Sequence, residues 1–199
     1  MRKKYVMVLG IGVALVAGVG MLSVRAVEEA PAAPDVQKLA DQAGKKDWAE
    51  LSKEGQTISK KYNDLIDVMG VFKMRKKDGK GTSGLGVGKV PGAILPDGIE
   101  AKILNLSKRV QPTDLQKAAD LKRMAEVAAA VAGIAVHMPN DDAKKSKETT
   151  KKWQDYSKDM HDASKDLIKS LDGKNPAQIK EAALKLQNAC TACHNDFRQ

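Results

Sequence analysis

Apolar residues recur along this chain at helical spacing. Trp48, Leu51, Gly55, Ile58, Tyr62, Leu65, Met69 and Phe72 step by alternating threes and fours, with Lys, Glu, Gln and Asp between them. That spacing predicts one amphipathic helix of about seven turns. A second helix is predicted from Thr113-Asp114-Leu115-Gln116, a capping-box pattern, with a seam through Met124, Val127, Val131, Ile134 and Met138 and a stop at Pro139. A third carries Trp153, Tyr156, Met160, Ala163, Leu167 and Leu171 and stops at Gly173. The fourth opens with Asn175 as cap and Pro176 in its first turn, and runs through Ile179, Ala182, Ala183, Leu186, Cys190, Cys193 and Phe197.

Four amphipathic helices, three of them joined by short links, predict an all-α fold: an antiparallel up-down-up-down four-helix bundle over residues 46–199. The exception is the connection between the first two helices. Residues 75–111 hold seven glycines and are expected to form a flexible loop insertion, with a short helix from Ile99 to Val110 behind an Asp97 cap. The run from Gly79 to Lys89 resembles a phosphate cradle only superficially. Ser83 stands where the first P-loop glycine would be needed, and no strand pattern precedes it.

The N-terminus has a different character. Met1-Arg2-Lys3-Lys4 is basic, Tyr5 to Ser23 is almost wholly apolar, and Val24-Arg25-Ala26 is a small-residue cleavage pattern. Residues 1–26 are expected to be a signal peptide, and an uncleaved membrane anchor if cleavage does not occur. Residues 27–45 read as a linker and N-terminal extension. Export makes a periplasmic location the expectation. Without residues 1–26 the chain keeps 173 residues, enough for one core, and a formal charge of +5. Modest positive charge suits an acidic redox partner protein or an anionic membrane surface, but lysines spread over solvated helix faces account for it more simply. Nucleic acid is not expected, because the seven aromatic residues are not interleaved with the basic ones.

Every cysteine in the chain lies in Cys190-Thr191-Ala192-Cys193-His194. Two thiols three positions apart can each add to a vinyl group of one haem, and the next histidine can reach the iron. The alternatives are a redox dithiol, half of a zinc site and a simple disulfide. A thioredoxin-like dithiol needs a strand–helix context that is missing here, and a zinc site needs a fourth ligand where His137 and His161 are the only other histidines. His161 lies off the third helix's seam and is expected at the surface.

A four-helix bundle ending in Cys190-Thr191-Ala192-Cys193-His194-Asn195-Asp196-Phe197-Arg198 resembles the cytochrome c′ family of class II c-type cytochromes, whose last helix ends C-x-x-C-H-x-x-(Tyr/Phe)-Arg. The resemblance implies one covalent haem c, with Cys190 and Cys193 as attachment residues and His194 as proximal iron ligand. It further implies that Phe197 and Arg198 pack beside the proximal side of the haem. Low-spin relatives take a sixth ligand from a methionine near the start of the first helix, and this chain has none there. Bundles of this class often pair through their first helices; the lysine-rich faces here leave a homodimer open.

Helix register predicts what faces the iron. His194 lies ~27 Å along the fourth helix at 1.5 Å per residue, which in an antiparallel bundle brings it opposite Gly55, with Leu51 and Ile58 as neighbours. These three are the expected distal-pocket residues; none can ligate iron, and Met69 is expected at the far end as core. His137 and Met138, at the end of the second helix, are the candidate sixth ligands if the position is filled. The expected function is electron transfer by the haem iron. The alternative is binding or sensing of a small gas, nitric oxide or carbon monoxide, at a five-coordinate iron. Catalysis is not expected, because no acid–base pair is placed near the presumed distal side.

Overall fold

A computed structural model describes residues 29–75 and 83–198; the expected signal peptide lies outside these residues. The described residues are all-α, with no strand. The helices are α1 (Ala33–Ala43), α2 (Trp48–Ser59), α3 (Leu65–Met69), α4 (Ile99–Lys108), α5 (Pro112–Gln116), α6 (Ala118–Ala135), α7 (Asp141–Lys144), α8 (Lys147–Gly173) and α9 (Pro176–Phe197), with a 3₁₀ turn at Gly70–Phe72. None of them is long and apolar enough to cross a membrane.

The centre of the fold is α6. Its sequence from Val127 to Ala135 is apolar all round, and every residue in that stretch is buried. A helix with no polar face must be surrounded, and α1, α2 and α8 all pack against it. Small residues set the distances. A Cβ on Gly55 of α2 would lie 1.9 Å from the Gly133 carbonyl oxygen of α6, so the two backbones touch where neither has a side chain. α1 lies in the stretch expected as a linker and buries Val36, Leu39, Ala40 and Ala43. Its C-terminal carbonyls are met by the Lys165 ammonium, which donates to Ala43 O at 3.2 Å and Gly44 O at 2.6 Å.

Three helices are antiparallel neighbours in sequence. Trp153 Nε1 donates to Ala135 O at 2.8 Å and Lys122 pairs with Asp172 at 2.8 Å, tying the two ends of α6 to α8. Tyr156 donates to Asp196 at 2.8 Å and Lys185 meets Asp166 at 3.4 Å, doing the same for α8 and α9. The caps of α9 are as the sequence predicts, with Asn175 Oδ1 accepting from Ala177 N at 3.0 Å. α8 continues through Gly173, and the left-handed turn falls on Lys174 (φ 49°).

The expected first helix is two pieces. α2 ends at Ser59, and Asp64 starts α3 by accepting Ile66 N at 2.8 Å from an extended backbone. Asn63-Asp64 is a cap signal inside an otherwise unbroken seam, and the break is held by Lys61 and Tyr62, both bonded to Asp35 at 2.8 Å. The spacing persists across the break because both pieces lay an apolar stripe on the core.

The second helix is also shorter than its pattern. Asp114 caps α5 by accepting Gln111 N at 2.8 Å, and it receives the buried Lys102 ammonium at 2.6 Å, so α6 begins separately at Ala118 and ends three residues before Met138.

Residues 83–98 fold around a buried carboxylate rather than forming a flexible loop. Asp97 accepts Val87 N at 3.0 Å and Gly92 N at 2.7 Å and faces the Arg75 guanidinium at 3.6 Å. Its role is thus to hold this segment; Gly98 takes the N-cap position of α4.

Candidate cofactor-attachment site

The C-x-x-C-H residues occupy the last turns of α9. At 100° per residue, Cys190, Cys193 and His194 span about 100° of helix face, a little over a quarter-turn, and Leu186 and Phe197 fall within it. Leu186 is fully buried, Phe197 is 7 % exposed, and both cysteines and His194 are partly buried. Both cysteines are free thiols. Cys190 packs against the main core, whereas Cys193 packs on a second cluster of Ala143, Trp153 and Phe197. Phe197 meets Trp153 edge-on at 5.3 Å and Tyr156 at 6.2 Å. The Phe197 carbonyl accepts Asn140 Nδ2 at 2.7 Å, which fastens the α6–α7 link to this end of α9.

Two elements from the expected insertion and its approach flank the motif. α4 packs along α9. Its Glu100 and Leu104 share a groove of about 250 Å³ with Gln187 of α9 and with Phe72, Lys73, Met74 and Ala101. Leu65 of α3 packs against both apolar clusters, including the one that holds Cys193. A second groove, of about 420 Å³, lies between α8 and α9 and is lined by Asp159, Asp162, Asp166 and Lys185, with Ala189 and Ala192 on its α9 side. The cysteines face away from that acidic groove.

The environment keeps the motif neutral. Burial pushes the Cys190 thiol up to about 12, with the Glu100 and Cys193 charges adding to it. Burial, reinforced by Asp196, pushes Cys193 up to about 11. Burial also lowers the His194 pKa, helped by Arg198 and opposed by Glu100. An attacking redox dithiol has its thiolate stabilised and its pKa lowered; these surroundings act in the opposite sense. Among the described residues, no three His, Cys, Asp or Glu side chains converge as a metal cage. A zinc site needs such convergence. Haem attachment does not, because the thiols bond to carbon and only the histidine meets metal. The donor set of Cys190, Cys193 and His194 therefore fits a covalently attached haem.

The residues expected on the distal side are elsewhere. Leu51 is buried and its backbone abuts Gly133, Gly55 presses on the Gly133 carbonyl, and Ile58 packs on the core. The space that glycine was expected to leave at Gly55 is filled by α6. His137 Nε2 lies 2.9 Å from both Ser52 Oγ and Ser52 O, so this nitrogen links the end of α6 to α2. Met138 is partly buried against the core in the turn after α6. Arg198 is exposed and ends α9, its N–H donating to His194 O at 2.9 Å. His161 is not a surface residue: it is 4 % exposed, with Nδ1 2.9 Å from Asp162 and Trp48 of α2 packed over its ring at 5.3 Å.

Glu100 and Asn140 are the site residues that sequence pattern does not reveal, and Leu65 was legible only as part of the seam. Each comes from a link or short helix whose place depends on tertiary packing. Trp153 and Tyr156 were legible only as seam residues.

No protein-family model matches this chain, no curated protein is significantly similar to it, and no solved structure matches its fold.

Proposed function

We propose that the chain is an exported c-type cytochrome that carries one haem on Cys190 and Cys193, with His194 as iron ligand, and transfers single electrons between partner proteins. The observation that carries this reading is the pairing of two free, partly buried thiols with an adjacent partly buried imidazole on one apolar face of α9. When bound, haem iron supplies the one-electron couple. The chain's own contribution is positional. Cys190 and Cys193 fix the attachment edge, and His194 is aimed by the helix that also holds them. Trp153, Phe197 and Leu65 keep water from that end of α9.

The four-helix expectation takes a new form in this proposal. α6 packs on α8, α8 on α9 and α9 on α4 as successive antiparallel pairs, and α1, α2 and α3 brace α6 and the motif end. α4 then stands where the sequence put the Trp48–Phe72 seam. Glu100 near His194 and Leu104 beside Gln187 support an antiparallel α4–α9 pair.

Electron transfer is preferred over gas binding because the open space that the gas reading needs beside Gly55 is occupied by the Gly133 backbone. The net positive charge of residues 27–199 favours an acidic redox partner. The test is export in a host that attaches haem c, followed by denaturing electrophoresis with haem staining. Haem that stays with the chain, and reversible reduction and oxidation of the folded protein, support the proposal. A colourless exported protein with two titratable thiols sinks it.

A further inference from the structure

We infer that the outer face shared by α4 and α9 is the docking surface for the electron-transfer partner, a protein that presents carboxylates around a small apolar centre. The inference rests on the haem reading above and deepens it, by naming the surface and the chemistry of what docks there.

Helix register defines the surface. Lys180, Leu184, Gln187 and Thr191 of α9 are four, three and four residues apart, so at 100° per residue they form one stripe about 60° wide. His194, three residues past Thr191, lies about 20° off the edge of that stripe, so the stripe runs up to the residue proposed to hold the iron. On α4, Glu100, Leu104 and Lys108 are spaced by four and form a matching stripe. Leu104 and Gln187 line one groove together with Lys73 and Met74, which sets the two stripes side by side. Glu100 acts on Cys190 and His194 at the motif end, so Lys108 lies toward the Lys180 end.

The chemistry of this face suits an acidic protein. Three large apolar side chains meet solvent on it: Met74 is 55 % exposed, Leu184 44 % and Leu104 40 %. Leu106 and Leu186, on the inner faces of the same helices, are fully buried, so the outward three add nothing to the core. Around them stand Lys73, Lys108 and Lys180, all exposed, and none pairs with a carboxylate among the described residues. Glu100 is the single acid in the two stripes. The lysines of the α8 side are neutralised instead, Lys151 by Asp155, Lys158 by Asp162 and Lys185 by Asp166. The groove on that side of α9 is lined by Asp159, Asp162 and Asp166. Unpaired positive charge therefore marks one side of the motif helix and negative charge the other, which steers an acidic partner to the α4–α9 face. An apolar centre with a polar rim is the usual anatomy of an interface, and a small one fits a short-lived electron-transfer encounter. A second copy of the chain is a poor occupant, because two-fold pairing would set these lysines against their own copies.

The test uses the haem-loaded protein, with covalent loading established first by intact mass, and a reduced plant-type [2Fe–2S] ferredoxin as the acidic probe. Stopped-flow reduction is followed against ionic strength in the parent and in the triple variant Lys73→Glu, Lys108→Glu, Lys180→Glu. A control triple, Lys38→Glu, Lys53→Glu, Lys169→Glu, carries the same net charge on exposed positions of α1, α2 and α8. The docking triple should slow reduction by about tenfold or more at low salt and flatten its salt dependence, whereas the control should stay within about twofold of the parent. Leu104→Asn with Leu184→Asn should slow reduction while keeping the parent's salt dependence. Each variant should keep the parent's haem spectrum and melting temperature. Carbodiimide coupling should join ferredoxin carboxylates to Lys73, Lys108 and Lys180. Equal slowing by the two triples, or coupling spread evenly over the other lysines, overturns the inference and leaves the haem reading intact. Coupling of these lysines to a second copy of the chain when ferredoxin is absent overturns it in favour of self-association. Capture on phosphatidylserine vesicles that the docking triple alone loses, with ferredoxin rates unchanged, overturns it in favour of a membrane. A chain that never acquires haem overturns both readings.

Discussion

Gly55→Ala separates two accounts of one residue. If Gly55 lined an open distal pocket, a methyl group there would cost little stability and would hinder ligands at the iron. The structure places that methyl 1.9 Å from Gly133 O, 2.3 Å from Gly133 C and 2.8 Å from Ile134 N, all backbone atoms. Ordinary contact begins near 3.4 Å, so α2 and α6 must separate by more than an ångström or tilt. Overpacking of this kind costs about 1–3 kcal/mol, and a clash with backbone belongs at the upper end. Alanine recovers about 1 kcal/mol of helix propensity. The net loss is about 2 kcal/mol, which lowers Tm by roughly 4–8 °C for a chain of this size. Thermal unfolding followed by circular dichroism measures it. Gly133→Ala is the internal control: its Cβ would lie 3.1 Å from Leu51 O, a milder contact, and its loss should be smaller. An unchanged Tm in Gly55→Ala, together with altered haem-ligand binding, would refute the contact account and restore the pocket.

Other outcomes follow from the same structure. Lys102→Met strands the buried Asp114 carboxylate and should cost about 3–5 kcal/mol in denaturant unfolding, whereas adding Asp114→Leu should recover much of it. Glu100→Gln removes the negative charge that acts on both Cys190 and His194, so the midpoint potential of the loaded protein should rise, and an unchanged potential would detach Glu100 from the site. Cys190→Ala or Cys193→Ala should each weaken covalent haem retention on a denaturing gel, and the double variant should abolish it. In the haem-free protein both thiol pKa values are raised by folding, to about 12 and about 11, so the folded form holds its protons more tightly. Stability from this source is complete below the unfolded thiol pKa and declines as pH climbs through the alkaline range. A pH series of urea melts that shows no alkaline loss beyond that of the double alanine variant would count against thiol burial.

The sequence carried α9 almost to the residue and α8 from Trp153 to its end at Gly173, because each is long and strongly patterned and Asn175-Pro176 is an unambiguous cap; the start of α8 at Lys147 behind Ser146 was not read. The C-x-x-C-H motif needed no fold at all to be found. What pattern could not give was the order of neighbours. The Trp48–Phe72 seam continues through the turn at 60–64, since alternating threes and fours record which residues are apolar and not whether the helix is unbroken. Only Asn63-Asp64 announced the turn. The glycine-rich stretch showed α4 as the expected short helix from Ile99 but hid the order of residues 83–98 for a related reason: it comes from one buried Asp97–Arg75 pair, which leaves no periodic trace. The register argument then failed at Gly55 because it took α2 for the partner of α9. Gly55 was correctly singled out as a place where a side chain is missing, but the neighbour it admits is the backbone of α6. In the same way, His161 off the seam looked solvated until Trp48, from another helix, covered it.

The central claim is that Cys190 and Cys193 carry a haem. Intact-mass analysis of the protein exported from a host with haem c maturation, under denaturing conditions, tests it most directly. The account predicts one species heavier than the processed chain by a single haem, with no thiol left to alkylate. A mass equal to that of the processed chain, with Cys190 and Cys193 both alkylated or joined as a disulfide, would contradict it.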